Sequence, residues 1–107
     1  MAKPGTPCSA LYERAVEMVQ ENGLAHCFMG TVQQAKFIGH GLGIEINELP
    51  VIAPRFTTPL QEGMVIALEP KFITSAGAVG SENTYFMTAD GLQQITFADQ
   101  HIIPLGK

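Results

Sequence analysis

Three side chains able to bind a cation or move a proton stand out along the chain: His40, Glu69 and Glu82. His40 lies between Gly39 and Gly41 inside the run Phe37-Ile38-Gly39-His40-Gly41-Leu42-Gly43-Ile44, with Glu45, Asn47 and Glu48 just behind it. Glycine on both sides removes two side chains and lets a backbone or a ligand come close to the imidazole. That is unusual packaging for a core histidine. The glycines at 39, 41 and 43 do not satisfy G-x-G-x-x-G, because position 44 is Ile and no helical pattern follows, so a dinucleotide fingerprint is rejected. Glu69 and Glu82 each interrupt an apolar, strand-like segment.

The spacing of the two glutamates has a direct consequence. If Met64 to Ile73 and Val79 to Thr88 form a hairpin turning at Ser75-Ala76, facing residues have numbers that sum to 151, as 69 and 82 do. The two carboxylates then lie about 5 Å apart on one face of an antiparallel pair. Like charges so placed are destabilising unless a proton or a cation lies between them. A turn displaced by a residue or two would instead leave one glutamate as a solvated strand residue. Pro70 favours that alternative, because proline within a strand implies an edge or a bulge. With His40 added, the set becomes one imidazole and two carboxylates. Such a set suits Zn²⁺, Mn²⁺, Co²⁺ or Fe²⁺, with the carboxylates tilting it toward the harder ions.

The elements that must position these groups can be read from the same chain. Thr6-Pro7 is a helix start, a hydroxyl cap with proline in the first turn, and the helix is expected from Pro7 to Asn22 with Gly23 as its stop. Leu11, Ala15, Met18 and Val19 form its apolar stripe, and Glu13, Arg14, Glu17, Gln20 and Glu21 its wet face. Leu24 to Gly30, which holds His26 and Cys27, reads as a packed connector, and Thr31 to Lys36 as a loop or the approach to a strand. From Phe37 the pattern is β. Leu49 to Pro59, with Pro50, Pro54 and Pro59, reads as a surface loop. Leu60 to Gly63 is a turn, Ala89-Asp90-Gly91 a hairpin signal, and Leu92 to Phe97 a third strand.

Composition narrows the classes. A chain of 107 residues fits a single domain, residues 1–107. Hydrophobic residues make up 46% and charged residues only 15%, against roughly 25% in ordinary domains, and the mean hydropathy is +0.16. So apolar a small chain is expected to meet a partner, either another copy or a missing segment. The net charge of −4 and six scattered Lys and Arg argue against nucleic acid or an anionic membrane surface. Cys8 and Cys27 are far apart with no C-x-x-C, which indicates neither a zinc framework nor a disulfide scaffold, and reduced thiols point to a cytoplasmic location. Neither a signal peptide nor a membrane span is expected.

Taken together in order, Gly39-His40-Gly41-Leu42-Gly43, Glu62-Gly63-Met64-Val65, Ala67-Leu68-Glu69-Pro70, Val79-Gly80-Ser81-Glu82-Asn83-Thr84 and Thr88-Ala89-Asp90-Gly91 resemble the pita-bread metallopeptidases. That family comprises methionine aminopeptidase, Xaa-Pro aminopeptidase and Xaa-Pro dipeptidase (prolidase), and the Glu-Asn-Thr form looks more like the Xaa-Pro branch. The resemblance spans about Lys3 to Phe97. It implies an α+β fold, half of a pita-bread domain, in which a long N-terminal helix packs on one face of a curved antiparallel sheet. It also implies a dinuclear divalent-metal site of two aspartates, one histidine and two glutamates. His40 matches the histidine, Glu69 the glutamate of Leu-Glu-Pro, and Glu82 the metal-bridging glutamate. Glu69 would in addition be catalytic, handling the proton of a water made acidic by the cation, which attacks the scissile carbonyl of a small peptide.

Two departures from the pattern shape the expectation. The family's aspartate pair lies upstream of the helix matched here by Pro7 to Asn22, and Asp90 and Asp99 are in the wrong places to substitute. The position of the family's second, substrate-contacting histidine, seven residues after the first, is Asn47, whose amide can donate a hydrogen bond but cannot shuttle protons. The chain therefore carries three of five ligands, so metal binding is expected to be absent, weak or mononuclear. The expectation is a C-terminal portion of a catalytic domain, inactive alone, which self-associates or meets its missing half. The competing reading is a non-catalytic binding or assembly module that keeps the peptidase fold.

Overall fold

The computed structural model of the chain describes residues 2–96 and 104–106. Met1, Phe97, Asp99 and His101 lie outside the described residues. Among the described residues, one helix, α1 (Cys8–Glu21), is followed by a short 3₁₀ turn at Ala25–Cys27 and by seven strands. These are β1 (Gly39–Gly41), β2 (Glu48–Ile52), β3 (Val65–Leu68), β4 (Lys71–Thr74), β5 (Gly77–Gly80), β6 (Asn83–Thr88) and β7 (Gly91–Gln94). Five strands form one antiparallel sheet in the order β2-β1-β3-β6-β7, and β4 and β5 form a separate two-stranded ribbon. The result is an α+β fold with the helix on the sheet.

Helix α1 begins one residue later than the Thr6-Pro7 pair suggests. Pro7 itself is the cap residue, with extended backbone and no side-chain bond. The Thr6 hydroxyl accepts from Lys3 N–H at 3.1 Å and so closes the preceding turn instead. The helix end follows expectation: Gly23 has φ +69°, its N–H donates to Gln20 O and Leu24 N–H donates to Val19 O, the paired bonds of a Schellman stop. Cys8, Leu11 and Val19 are buried against Ile52, Leu60, Ile66 and Met87 of the core, with Tyr12, Ala15 and Val16 packed at its margin. Met18, fourth member of the expected stripe, is half exposed.

The supposed loop from Leu49 to Pro59 is partly strand. Residues Glu48 to Ile52 pair with β1 in the register Gly39↔Ile52, His40↔Val51 and Gly41↔Glu48. Pro50 is tolerated because β2 is an edge strand, where one side makes no ladder bonds. Each of the two long strands expected around Ser75-Ala76 is broken in two, at Glu69-Pro70 and at Ser81-Glu82. The register nevertheless runs through: Val65↔Phe86 and Leu68↔Asn83 in the large sheet, Lys71↔Gly80 and Thr74↔Gly77 in the ribbon, every pair summing to 151. The ribbon is held to the body where Phe28 meets Phe72, ring centroids 5.5 Å apart, and where Met29 N–H donates to Lys71 O. The last strand is shorter than expected and ends at Gln94.

Cys8 and Cys27 are both buried and free. No helix of the described residues is long and apolar enough to cross a membrane.

Candidate metal centre

The central strands set His40, Ala67 and Thr84 in one cross-strand row, through the pairs His40↔Ala67 and Ala67↔Thr84. Because alternate residues point to opposite faces, this row is turned away from Ile66 and Leu68, which face the core. The glycines beside His40 answer to backbone rather than to ligand. A Cβ on Gly39 would lie 2.3 Å from Ala67 O, and one on Gly41 2.2 Å from Leu49 O. The histidine thus rides on a strand closely flanked by backbone on both sides, and it is buried.

Both ring nitrogens of His40 are engaged. Nδ1 is 2.9 Å from the carbonyl of Gly41, and Nε2 is 3.0 Å from Oε2 of Glu69. A carbonyl only accepts, so Nδ1 carries a hydrogen, and the tautomer leaves the Nε2 lone pair directed at Glu69. A lone pair facing a carboxylate at that distance is repulsive. The contact is favourable only when a proton or a metal cation lies between the two atoms. The Nδ1–H to carbonyl bond is also the kind of outer contact that orients a metal-ligating imidazole.

Glu69 reaches this position from the break after β3, where its own N–H donates to Ile38 O at 2.7 Å. Its side chain is partly buried. Glu82 comes from the opposite break, between β5 and β6, and is exposed. One ligand atom from each of His40, Glu69 and Glu82 lies within 4.8 Å of the others. One imidazole nitrogen and two carboxylate oxygens at that separation fit a single divalent ion of the borderline or hard class. The fit is of donor type and spacing, and three protein ligands leave positions open for solvent or substrate.

The other candidates are not brought to this cluster. Asn47 is exposed on the loop between β1 and β2, and among the described residues no hydrogen bond ties it to His40, Glu69 or Glu82. Asp90 sits in the turn between β6 and β7, its N–H donating to the Thr88 hydroxyl at 3.2 Å. His26 is exposed, and the Cys27 thiol donates to Leu24 O. Glu48, left without a role by its sequence context, has a structural one. Its carboxylate accepts from Glu45 N–H at 3.2 Å and packs where a Cβ on Gly43 would be, so it shapes the loop that follows His40. The glycine at 43 was the available signal for that contact.

A five-stranded antiparallel sheet carrying a buried histidine on one strand and glutamates in two facing breaks, with a helix packed on it, is the α+β arrangement of the pita-bread metallopeptidase class. The family model for metallopeptidase family M24 matches residues 1–89, and the chain belongs to that family. It is 35% identical over 103 residues to an Xaa-Pro dipeptidase of Pyrococcus furiosus, covering 95% of this chain and 28% of the relative. The solved structure of prolidase from the same organism superposes with a TM-score of 0.81 over 92% of this chain and 28% of that one. An X-Pro aminopeptidase from Thermotoga maritima superposes with a TM-score of 0.82 at 27% identity, covering 94% of this chain and 27% of that one. The chain thus spans little more than a quarter of the length of these relatives.

Proposed function

We propose that the chain carries the His-Glu-Glu part of a divalent-metal centre for hydrolysis of a peptide bond near the N-terminus of small peptides, of the Xaa-Pro dipeptidase or aminopeptidase kind. The observation that carries this reading is the approach of His40 Nε2 to Glu69 at 3.0 Å with Glu82 in the same cluster, a geometry that calls for a cation. A divalent ion held there would supply Lewis acidity toward a water and toward the scissile carbonyl. His40 offers it a nitrogen whose direction is set by the Gly41 carbonyl. Glu69 and Glu82 neutralise its charge, and Glu69, beside His40, is the group placed to accept the proton that the attacking water gives up. Asn47 would meet the substrate by hydrogen bonding alone. The metal is Mn²⁺, Co²⁺, Zn²⁺ or Fe²⁺ by donor type.

With three ligands, the chain by itself binds one ion and hydrolyses little. Titration with Co²⁺ or Mn²⁺ tests this: about one equivalent should bind, and Glu69→Ala and Glu82→Ala should each abolish or sharply weaken it. Absence of metal binding by the unsubstituted chain would favour the non-catalytic assembly module. Hydrolysis of an Xaa-Pro dipeptide with added Mn²⁺, lost in Glu69→Ala, would overturn the inactivity.

An apolar groove of about 580 Å³ between α1 and the sheet supports the partner part of the reading. Leu11, Ala15, Met18, Ile38, Leu68 and Phe72 are among its walls, with Arg14 at the edge. So apolar an opening is suited to a second copy or to a further part of the peptidase domain. Sedimentation at high concentration should show association, and a clean monomer would count against it.

A further inference from the structure

We propose that Thr96, acting through Asn83 and with Gln94, is a positioning residue for Glu82, so that the end of β7 and Thr96 just beyond it belong to the metal centre. The inference rests on the reading of His40, Glu69 and Glu82 as ligands. Thr96 and Gln94 lie beyond residues 1–89, the part matched by the family model.

Of the three ligands, Glu82 is the one least held. His40 is buried and its ring is oriented by the Nδ1 bond to the Gly41 carbonyl. Glu69 is tied by its backbone N–H to Ile38 O, and its side chain is partly buried. Glu82 lies outside both ladders, between the end of β5 at Gly80 and the start of β6 at Asn83. Its side chain is exposed, and among the described residues no hydrogen bond or ion pair holds its carboxylate. Its placement therefore depends on its neighbours.

Those neighbours are fixed by a chain of directed hydrogen bonds. The Asn83 amide nitrogen donates to the Ser81 hydroxyl at 3.4 Å, bracketing Glu82 from both sides. The Asn83 carbonyl oxygen accepts from the Thr96 hydroxyl at 2.9 Å and from the Gln94 amide at 3.3 Å. The Thr96 hydroxyl itself accepts from Thr84 N–H at 3.2 Å, which leaves its own hydrogen for Asn83. Gln94 also donates to the Thr96 carbonyl at 2.9 Å, and a carbonyl partner fixes which end of the Gln94 amide faces Asn83. The two donors then fix which end of the Asn83 amide faces Ser81. The orientation of the bracket is thereby passed from the end of β7 to the residues on either side of Glu82. A ligand held this way loses less freedom when it binds a cation, and supporting shells of this type are worth ~10- to 100-fold in metal affinity.

The test compares three variants of the whole chain by Co²⁺ titration calorimetry, the visible Co²⁺ spectrum and thermal unfolding. Thr96→Val removes both the donor and the acceptor, whereas Thr96→Ser keeps them. Thr88→Val is the matched control: the Thr88 hydroxyl also accepts a backbone N–H, from Asp90, and donates to a carbonyl, Gly91 O at 2.8 Å, but at the far end of the β6–β7 pair. The expected result is a Co²⁺ dissociation constant raised ~10- to 100-fold in Thr96→Val with an altered Co²⁺ spectrum. Thr96→Ser should stay within about threefold of the unsubstituted chain, and Thr88→Val should lower the melting temperature without moving Co²⁺ affinity. Unchanged affinity in a folded Thr96→Val overturns the inference alone, as does an equal loss in Thr88→Val. Failure of the unsubstituted chain to bind Co²⁺ overturns the metal-centre reading, and this inference with it.

Discussion

Replacing Gly41 by alanine should be among the most damaging single-methyl additions in the chain, and Gly43→Ala should be much milder, although the two glycines are two residues apart. The Cβ of Gly41→Ala would lie 2.2 Å from Leu49 O and 2.7 Å from Leu49 C, against an ordinary contact distance of 3.4 Å or more. The shortfall is about 1.2 Å and the obstructing atoms are backbone. Leu49 belongs to β2, whose residue Glu48 pairs with Gly41 itself, so relief requires the strands to part. Overpacking commonly costs about 1–3 kcal/mol, and a backbone obstruction with loss of a ladder pair belongs at or above the upper end, about 3 kcal/mol. Gly43→Ala meets instead the far end of the Glu48 side chain, which can rotate away. The loss there is the Glu48 bond to Glu45 N–H, about 1 kcal/mol. Urea unfolding followed by circular dichroism gives both values. Equal destabilisation, or Gly41→Ala within about 0.5 kcal/mol of the unsubstituted chain, would refute the claim that Gly41 is required by strand contact.

Two further outcomes follow from the same arrangement of side chains. Since His40 Nε2 and the Glu69 carboxylate are the donors that a metal ion would sit between, His40→Ala should sharply weaken Co²⁺ uptake; titration calorimetry measures it, and unchanged affinity in a folded variant would contradict the assignment. Burial pushes the Cys8 thiol above its ordinary range, with a hydrogen bond to its own backbone opposing this only in part. A folded-state value above the unfolded one means that the stabilisation is fully present below about pH 8.5 and is lost as pH rises through the raised value. The urea midpoint of the unsubstituted chain should therefore fall more steeply above that pH than that of Cys8→Ala, and parallel curves would exclude Cys8 as the cause.

Much of the fold was legible because it is written in local signals. The Gly23 stop, the two-residue turn at Ser75-Ala76 and the turn at Ala89-Asp90 each depend on a few adjacent residues, and register then follows by counting. The misreadings share a physical cause. Proline punctuates a sequence wherever it occurs, but its cost in a sheet depends on whether the strand is an edge, which only the topology decides; Pro50 on β2 is the instance. Thr6, a hydroxyl before Pro7, has the right type for a helix cap, yet its oxygen has a nearer donor in Lys3 N–H. The Thr96 and Gln94 bonds to Asn83 join residues 11 to 13 positions apart through side chains, and no periodicity announces such a link.

The breaks in the two long strands explain why the carboxylates can be where they are. Counting places Glu69 opposite Glu82, but neither ladder includes that pair: the large sheet stops at Leu68↔Asn83 and the ribbon starts at Lys71↔Gly80. Within a continuous ladder two facing carboxylates would be forced together and would weaken the pairing. Here the unpaired stretch, with Pro70 unable to donate a ladder bond, frees both residues from strand geometry. Glu69 can then turn to His40 on the neighbouring strand β1, and Glu82 can be aimed by its bracket of Ser81 and Asn83. The proline that argued against a paired site is thus part of what permits one. A Pro70→Ala substitution that let the ladders join should strengthen the hairpin while weakening Co²⁺ binding. Retained metal affinity together with amide protection at the new residue 70 N–H would show that the break is dispensable.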